Sequence, residues 1–376
     1  MAVPAHRSGY ALVLLAVSGA VGSSGQSRVV PGDAVSCQQC TISFQPLVSL
    51  GDTSGPGVLL DRPVAVLRDK SKRIWVVPRS GAPLVFDQTG RFVATVARQG
   101  RGPGEFDTPI GALLLPGDSI LVIDGGLYRA TVIDPKLKVA RSIRMRQTLV
   151  PGVVLRWPRS VILRGPPALE PPSNRSLHDV SFQHAEAQTQ RSFGRGGTPM
   201  RMGGTTAQFQ TLAPSRDGGL WSSNVFRYEL NKWTATGEHV EALYRRPSWF
   251  GEDSPVWLGN PGNPPPPTVA ALQEDHEGLL WVFLRIPAQD WRSGWARAPV
   301  GAREVPLSVV DVEKLFDTII EIIDLRAGVV LTRERLKGYL IGVTDDHEIS
   351  VYMDDQNGDP TVRIIAITLA GRGKDT

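Results

Sequence analysis

Short apolar runs, each bounded by Gly, Pro, Asp or Ser, follow one another along most of the chain. Four of them lie between residues 63 and 97, and their lengths and bounding residues are typical of β-strands. The four predicted strands cover residues 63–67, 73–77, 82–87 and 91–96. This region therefore predicts a four-stranded antiparallel unit whose consecutive strands are joined by tight turns.

The same unit recurs along the chain, as expected of a repeat architecture. Copies of the second strand and its preceding turn occupy residues 116–122, 157–162, 217–221, 275–282 and 346–351. Copies of the third strand occupy residues 129–134, 227–231, 318–324 and 361–365. The sixth unit has only three strands, and the lone strand 42–50 can complete it beside residues 361–369. We predict an all-β fold over residues 42–369, a six-bladed β-propeller closed by its N-terminal strand.

The predicted topology places all the long connections on one face of the propeller. Crossovers between blades and connections from second to third strands share that face, and loops on a rigid scaffold tend to carry binding sites. The four long connections cover residues 164–176, 194–207, 246–267 and 285–316. Within the last of these, the Ser-Val-Val-Asp sequence at 308–311 predicts a short helix over residues 309–316.

A glycine-rich stretch, RQGRGPGEF at residues 98–106, raises the possibility of a phosphate-binding loop. Such a loop leads from a strand into a helix, whose N-terminal N–H groups face the anion. Here the next predicted element is a strand at 110–115, and Pro103 lacks an N–H group. We therefore interpret the stretch as a crossover between the first two blades.

The first blade carries the motif of a known repeat. The pattern Phe86-Asp87-x-x-Gly90-Arg91-Phe92-Val93, followed by the glycine-rich crossover, resembles the NHL-type repeat of exported bacterial six-bladed β-propeller proteins. The other blades are similar to it in strand order and turn residues. Members of that family include binding modules, scaffolds, lyases and lactonases, so the resemblance implies a fold more than a function.

The N-terminus has the order of a secretory signal peptide. His6 and Arg7 precede an apolar run at 11–17, and small residues follow around 20–24. We expect residues 1–30 to comprise this signal and a short tail, with the mature chain beginning between residues 21 and 30. The apolar run is too short to span a bilayer. We expect a periplasmic or secreted monomer without a membrane span, and a polar tail at 370–376.

Composition narrows the classes of partner. The 376 residues carry a formal net charge of +4 that is spread along the chain, which gives no reason to expect nucleic-acid binding. The only cysteines, Cys37 and Cys40, lie in a predicted linker at 31–41. A local disulfide is the favoured interpretation, because a redox pair usually opens a helix and a zinc site needs further ligands.

Two of the long connections are rich in tryptophan and arginine, residues that dominate binding hot spots. The predicted ligand-binding residues are Trp249, Trp257, Trp291, Trp295, Arg292 and Arg297. They would surround a groove for a peptide, carbohydrate or protein ligand. The alternative is that the tryptophans only pack the insertions onto the blades.

Two Asp-His-Glu triplets, at 275–277 and 346–348, offer candidate metal ligands. Both fall in predicted turns between first and second strands, on the face away from the insertions, where such residues commonly form turns. His178 and His184 are interpreted as surface residues. We predict no cofactor and no metal.

The favoured function is therefore non-catalytic binding by the insertion-bearing face. The alternative is a lactonase-like hydrolase or lyase with a divalent metal in the central channel. That metal would need oxygen or nitrogen ligands at the starts of the first strands. The predicted starts supply no such ring: Pro63, Pro109, Pro151, Gln208, Thr268 and Lys337.

Overall fold

The structure is a computed structural model that describes most of the chain. The described residues are 26–51, 55–59, 62–165, 175–195, 200–202, 205–207, 210–251, 262–295, 310–354 and 359–372. Two strands precede the blades, β1 (Gln26–Val30) and β2 (Thr41–Leu50). The strands of the six blades follow them along the chain.

Blades 1 to 3 have four consecutive strands each, paired in chain order. Blade 1 contains β3 (Ala65–Arg68), β4 (Ile74–Val77), β5 (Leu84–Phe86) and β6 (Phe92–Thr95). Blade 2 contains β7 (Pro109–Leu114), β8 (Ile120–Asp124), β9 (Arg129–Ile133) and β10 (Val139–Arg144). Blade 3 contains β11 (Val150–Arg156), β12 (Ser160–Arg164), β13 (Arg175–Ser181) and β14 (Gln188–Arg195).

Blades 4 and 5 follow a small hairpin of β15 (Met200–Met202) and β16 (Thr205–Ala207). Blade 4 contains β17 (Gln210–Pro214), β18 (Leu220–Asn224), β19 (Glu229–Trp233) and β20 (His239–Arg245). Blade 5 contains β21 (Thr268–Glu274), β22 (Leu279–Pro287), β23 (Phe316–Asp324) and β24 (Val329–Leu336).

Blade 6 combines both ends of the chain. It contains β25 (Tyr339–Asp345), β26 (Glu348–Asp354), β27 (Pro360–Ala370) and, as its outer strand, β2. Antiparallel pairing of β2 with β27 runs from Thr41 opposite Ala370 to Leu50 opposite Val362. The predicted closure of the last blade by the N-terminal strand is confirmed.

The six sheets form a closed ring. The first strand of each blade contacts the first strands of the two neighbouring blades, in the cycle β3, β7, β11, β17, β21, β25 and back to β3. The apolar residues of facing blades fill the spaces between the sheets. The predicted six-bladed β-propeller is therefore confirmed.

A repeated side-chain device explains part of the sequence periodicity. In blade 1 the indole Nε1 of Trp75 donates to Asp69 Oδ2 at 3.0 Å, and in blade 5 Trp281 donates to Asp275 Oδ2 at 2.8 Å. Both tryptophans are buried and both aspartates also accept backbone N–H bonds in their turns. The spacing Asp-x5-Trp thus ties each first turn to the core of its blade.

An extra strand, β1, corrects the sequence analysis, which placed only signal and tail before residue 31. This strand pairs parallel to β20 and adds a fifth strand to blade 4, with Val30 almost fully buried. Arg28 forms an ion pair with Glu241 at 3.1 Å and donates to the Leu325 carbonyl at 2.8 Å. The outer edge of β20 offers unpaired backbone groups, and β1 satisfies them.

Residues 31–40 then pass along the outside of blade 5. The backbone N–H of Ser36 donates to the Val330 carbonyl at 2.8 Å, and Thr332 Oγ1 donates to the Cys40 carbonyl at 2.9 Å. Cys37 and Cys40 form the expected disulfide. We call residues 26–50 the outer strap, because they run along the edges of blades 4, 5 and 6.

A buried ionic network joins blades 4 and 5 beneath this strap. Arg245 and Glu321 are both fully buried and lie 2.8 Å apart, and Arg333 approaches the same carboxylate at 2.6 Å. The Tyr228 hydroxyl also donates to Glu321, and burial raises the pKa of Tyr228 well above its usual value. Arg245 further donates to the carbonyls of Pro31 and Gly32, so the network also holds the strap.

Candidate functional site

The insertion face is the face on which the first strand of each blade begins. The strand bounds confirm that the four predicted long connections all leave from this face: they join β12 to β13, β14 to β17, β20 to β21 and β22 to β23. The opposite face carries the short turns between first and second strands, and we call it the turn face.

The two described parts of the connection from β22 to β23, residues 288–295 and 310–315, pack against the neighbouring blades. The Trp291–Trp295 segment is a 3-10 helix, and a second one covers Val312–Leu315. Trp291, Trp295 and Leu315 are buried in a cluster built by strands of blades 6 and 1. The predicted helix at 309–316 is therefore shorter and tighter than expected, because β23 already begins at Phe316.

The predicted ligand-binding residues occupy different environments. Trp291 and Trp295 are each only 7% exposed, whereas Arg292 is exposed and its guanidinium lies 4.6 Å from the Trp291 ring centre. Trp249 is half-buried in the cluster between blades 4 and 5, with Arg333 5.1 Å from its ring centre. The structure thus places Trp249 and Trp291 in separate clusters. Trp257 and Arg297 lie outside the described residues.

Three arginines that the proposed groove does not explain lie at the mouth of the channel. Arg164 pairs with Val150 at the start of β11, and Arg285 pairs with Thr268 at the start of β21. Arg62 lies three residues before β3. Since the first strands line the channel and begin at this face, Arg164 and Arg285 lie one strand outward from the channel mouth, and Arg62 lies just before a channel-lining strand.

Tyr339, the first residue of β25, holds two of these arginines. The guanidinium of Arg285 lies 4.2 Å from the centre of the Tyr339 ring, and that of Arg62 lies 4.6 Å from it. Arg285 also donates two hydrogen bonds, of 3.0 and 2.9 Å, to the Leu340 carbonyl. Cation–π contact and these bonds fix the direction of the Arg285 side chain.

The charges of this cluster are poorly balanced. Burial and the nearby charge of Arg285 lower the pKa of Arg164 to about 10. Burial also lowers the pKa of Arg285, and the charge of Arg62 adds to that effect. Both Arg164 and Arg285 nevertheless keep part of their surface accessible.

One carboxylate approaches the cluster. Glu313 Oε1 lies 3.4 Å from Arg62 Nε, an ion pair without hydrogen-bond alignment. Asp124, at the end of β8 on the same face, already accepts bonds from three backbone N–H groups. Within the described part of the chain, neither Arg164 nor Arg285 forms an ion pair.

The turn face carries the two Asp-His-Glu triplets beside a cleft of about 740 Å³. Asp275 Oδ1 accepts the backbone N–H groups of Glu277 and Leu279 at 2.9 Å each, which confirms its interpretation as a turn former. The His276 and His347 rings meet edge to face, with centroids 6.2 Å apart. Across the described ranges, no three His, Cys, Asp or Glu residues are grouped to hold a metal ion.

The two other histidines of interest differ. His184 is exposed, as predicted, but His178 is fully buried and its Nδ1 lies 2.9 Å from Ser192 Oγ. The surface interpretation of His178 is wrong, because β13 is the third strand of its blade and Ser192 on β14 satisfies the ring.

None of the helices that the structure describes is long and apolar enough to cross a membrane.

No protein-family model and no curated protein sequence matches the chain. Solved structures do resemble it. A protein from Bacteroides vulgatus, a member of the DUF4221 family, has a TM-score of 0.58 at 9% identity, over 89% of this chain and all of that one. A protein from Bacteroides fragilis that is inferred to be exported has a TM-score of 0.56 at 10% identity, over 92% and 99% of the two chains. These likenesses show the fold alone.

Sequence reasoning missed Arg164 and Tyr339 as members of a site. A signal was present, because the second strands of blades 3 and 5 contain the similar sequences VILR (161–164) and VFLR (282–285). An arginine directly after three apolar strand residues, at the same position in two blades, indicates a shared location on the insertion face.

Proposed function

We propose that this chain is an exported, non-catalytic binding protein that holds a peptide, carbohydrate or protein ligand on its insertion face. The observation that carries the proposal is the anchoring of the β22–β23 connection. Because Trp291 and Trp295 are buried between blades 6 and 1, the Trp291–Trp295 segment is a fixed part of the surface and presents Arg292 to solvent. Fixed surfaces bind with a smaller entropic cost than mobile loops.

The predicted site residues take different roles in this proposal. Arg292 contacts the ligand, and Trp291 and Trp295 support it from below. Trp249 forms the far side of the surface, at blades 4 and 5. Sequence alone assigns Trp257 and Arg297 to the same site.

Export and repeat type belong to the same proposal. The apolar run at 11–17 supports a signal peptide, and the Cys37–Cys40 disulfide suits an oxidising compartment. Cleavage before residue 26 would leave β1 intact. The Asp87 turn, whose Oδ1 accepts the N–H groups of Thr89 and Arg91, supports assignment of blade 1 to the NHL-type repeats.

Thermal melting in the presence of acidic peptides and oligosaccharides tests the function. A ligand at 100 times its Kd stabilises by about 2.7 kcal/mol, which for 376 residues at ~2.1 cal/mol/K per residue raises Tm by roughly 3–4 °C. Arg292→Ala should abolish the shift. Arg326→Ala, an exposed arginine of the same blade on the turn face, should retain it.

The Arg292→Ala comparison can also contradict the proposal. A ligand whose shift is unchanged by Arg292→Ala places the binding surface elsewhere. Mass spectrometry of that ligand after incubation checks for turnover, and a cleaved or isomerised product would favour the enzymatic alternative.

A further inference from the structure

The half-buried arginines at the channel mouth differ from the fully buried arginines of the fold. Arg68 pairs with Glu348 at 2.6 Å, and Arg245 pairs with Glu321 at 2.8 Å. Arginines that only stabilise a fold need such partners, because an unpaired buried charge is costly. Arg164 and Arg285 lack a carboxylate partner among the described residues, so their charges oppose each other instead.

The three arginines come from alternate blades of the ring. Arg62 precedes the first strand of blade 1, Arg164 ends a strand of blade 3, and Arg285 lies on a strand of blade 5. Arg164 lies close enough to Arg285 for the two charges to interact. Tyr339 of blade 6 fixes two of the guanidinium groups.

The net charge of the cluster defines what can bind there. Among the described residues, Glu313 is the one carboxylate paired with the three guanidinium groups, which leaves two positive charges. Planar guanidinium groups match the paired oxygens of carboxylates and phosphates, and charge-assisted bonds to them are strong. A bound anion with two or more charges would relieve the repulsion that the ligand-free protein retains.

We propose that Arg62, Arg164 and Arg285 form a binding site for a multiply charged oxyanion at the mouth of the central channel. The ligand is a phosphate or a compound bearing several carboxylates. The site borders the surface around Arg292, because Tyr339 lies in the same buried cluster as Trp291 and Trp295. It does not depend on a ligand at that surface, and the Arg164 and Arg292 variants test the two separately.

Titration calorimetry and thermal melting with inorganic phosphate and with citrate, at constant ionic strength set with chloride, test this site. Both measurements compare the wild-type chain with Arg164→Met, which removes the charge and keeps the apolar stem. Arg159→Met is the matched control, because Arg159 is exposed at the turn-face end of the same β11–β12 hairpin.

We expect phosphate or citrate to raise the Tm of the wild type and of the control. Arg164→Met should lose about tenfold or more in affinity, the scale of a charge-assisted bond. In chloride alone, however, Arg164→Met should melt above the wild type, because the repulsion with Arg285 is gone. A purely structural arginine would change stability in the opposite direction.

Binding of phosphate alone would indicate phosphate esters as ligands, and binding of citrate alone would indicate polycarboxylates. Either result supports the site when Arg164→Met weakens it. Should Arg164→Met fail to fold, Arg62→Met gives the same comparison from another blade. The proposal is overturned if neither anion shifts Tm beyond chloride, or if the arginine variants bind as tightly as the control.

Discussion

The ionic network under the outer strap should control the stability of the ring. Glu321 accepts bonds from Arg245, Arg333 and Tyr228, and both Glu321 and Arg245 are inaccessible to solvent. Glu321→Gln keeps the shape of the side chain and removes its charge. Arg245 would then be a buried cation without an anionic partner.

Loss of one member of a buried ion pair costs about 3–5 kcal/mol. For a chain of 376 residues the entropy of unfolding is roughly 0.8 kcal/mol/K, from ~2.1 cal/mol/K per residue. Glu321→Gln should therefore lower Tm by about 4–6 °C in calorimetric scans at a fixed rate. Glu238→Gln, an exposed glutamate in a turn of blade 4, is the control and should leave Tm unchanged.

A double variant separates charge burial from lost packing. Arg245→Met with Glu321→Leu removes both buried charges, and such replacements are often neutral. The double variant should therefore melt above Glu321→Gln. This account of the network would be refuted if the Tm of Glu321→Gln lay within 1 °C of the wild type. It would also be refuted if the double variant melted below Glu321→Gln.

Further predictions concern the disulfide, the buried Trp291 and the charge of Arg164. Replacing Cys37 and Cys40 together by serine should cost at most ~2 kcal/mol, because the closed loop is short, and should leave ligand binding unchanged; loss of binding in a folded variant would contradict this. Trp291→Ala should destabilise by about 3–5 kcal/mol, the cost of emptying a buried aromatic site, as measured by urea unfolding; a change below about 1 kcal/mol would mean that the ring is not packed. Deprotonation of Arg164 above about pH 10 removes a positive charge. The wild type should therefore lose its advantage in phosphate affinity over Arg164→Met between pH 8 and pH 10.5. If the ratio of the two affinities stays constant over that range, the Arg164 charge does not contribute to binding.

Blades 1 to 5 were predictable because the four strands of each are consecutive in the chain. Turn residues and short apolar runs define consecutive hairpins, and the Asp-x5-Trp spacing marks equivalent turns in blades 1 and 5. β1 was not predictable in this way. Its sequence QSRVV buries only Val30, so its pairing depends on the free edge of β20 more than 200 residues away.

The candidate sites depend on contacts that local patterns do not encode. The local sequence around Trp291 is compatible with an exposed ring and with a buried one. The ring is buried because it packs against residues of blades 6 and 1. The arginines at the channel mouth are 102 and 121 residues apart in number (164 − 62 and 285 − 164). Closure of the ring brings them together.

Closure by β2 and β27 also sets an order of events during synthesis. Ser43 and Thr368, which face each other across these strands, are 325 residues apart. At about 5–20 residues per second, β2 waits roughly 16–65 s after leaving the ribosome before its partner exists. Throughout that interval its apolar residues and free edges are available to chaperones or to other nascent chains, and an early stop anywhere before β27 would leave the ring permanently open.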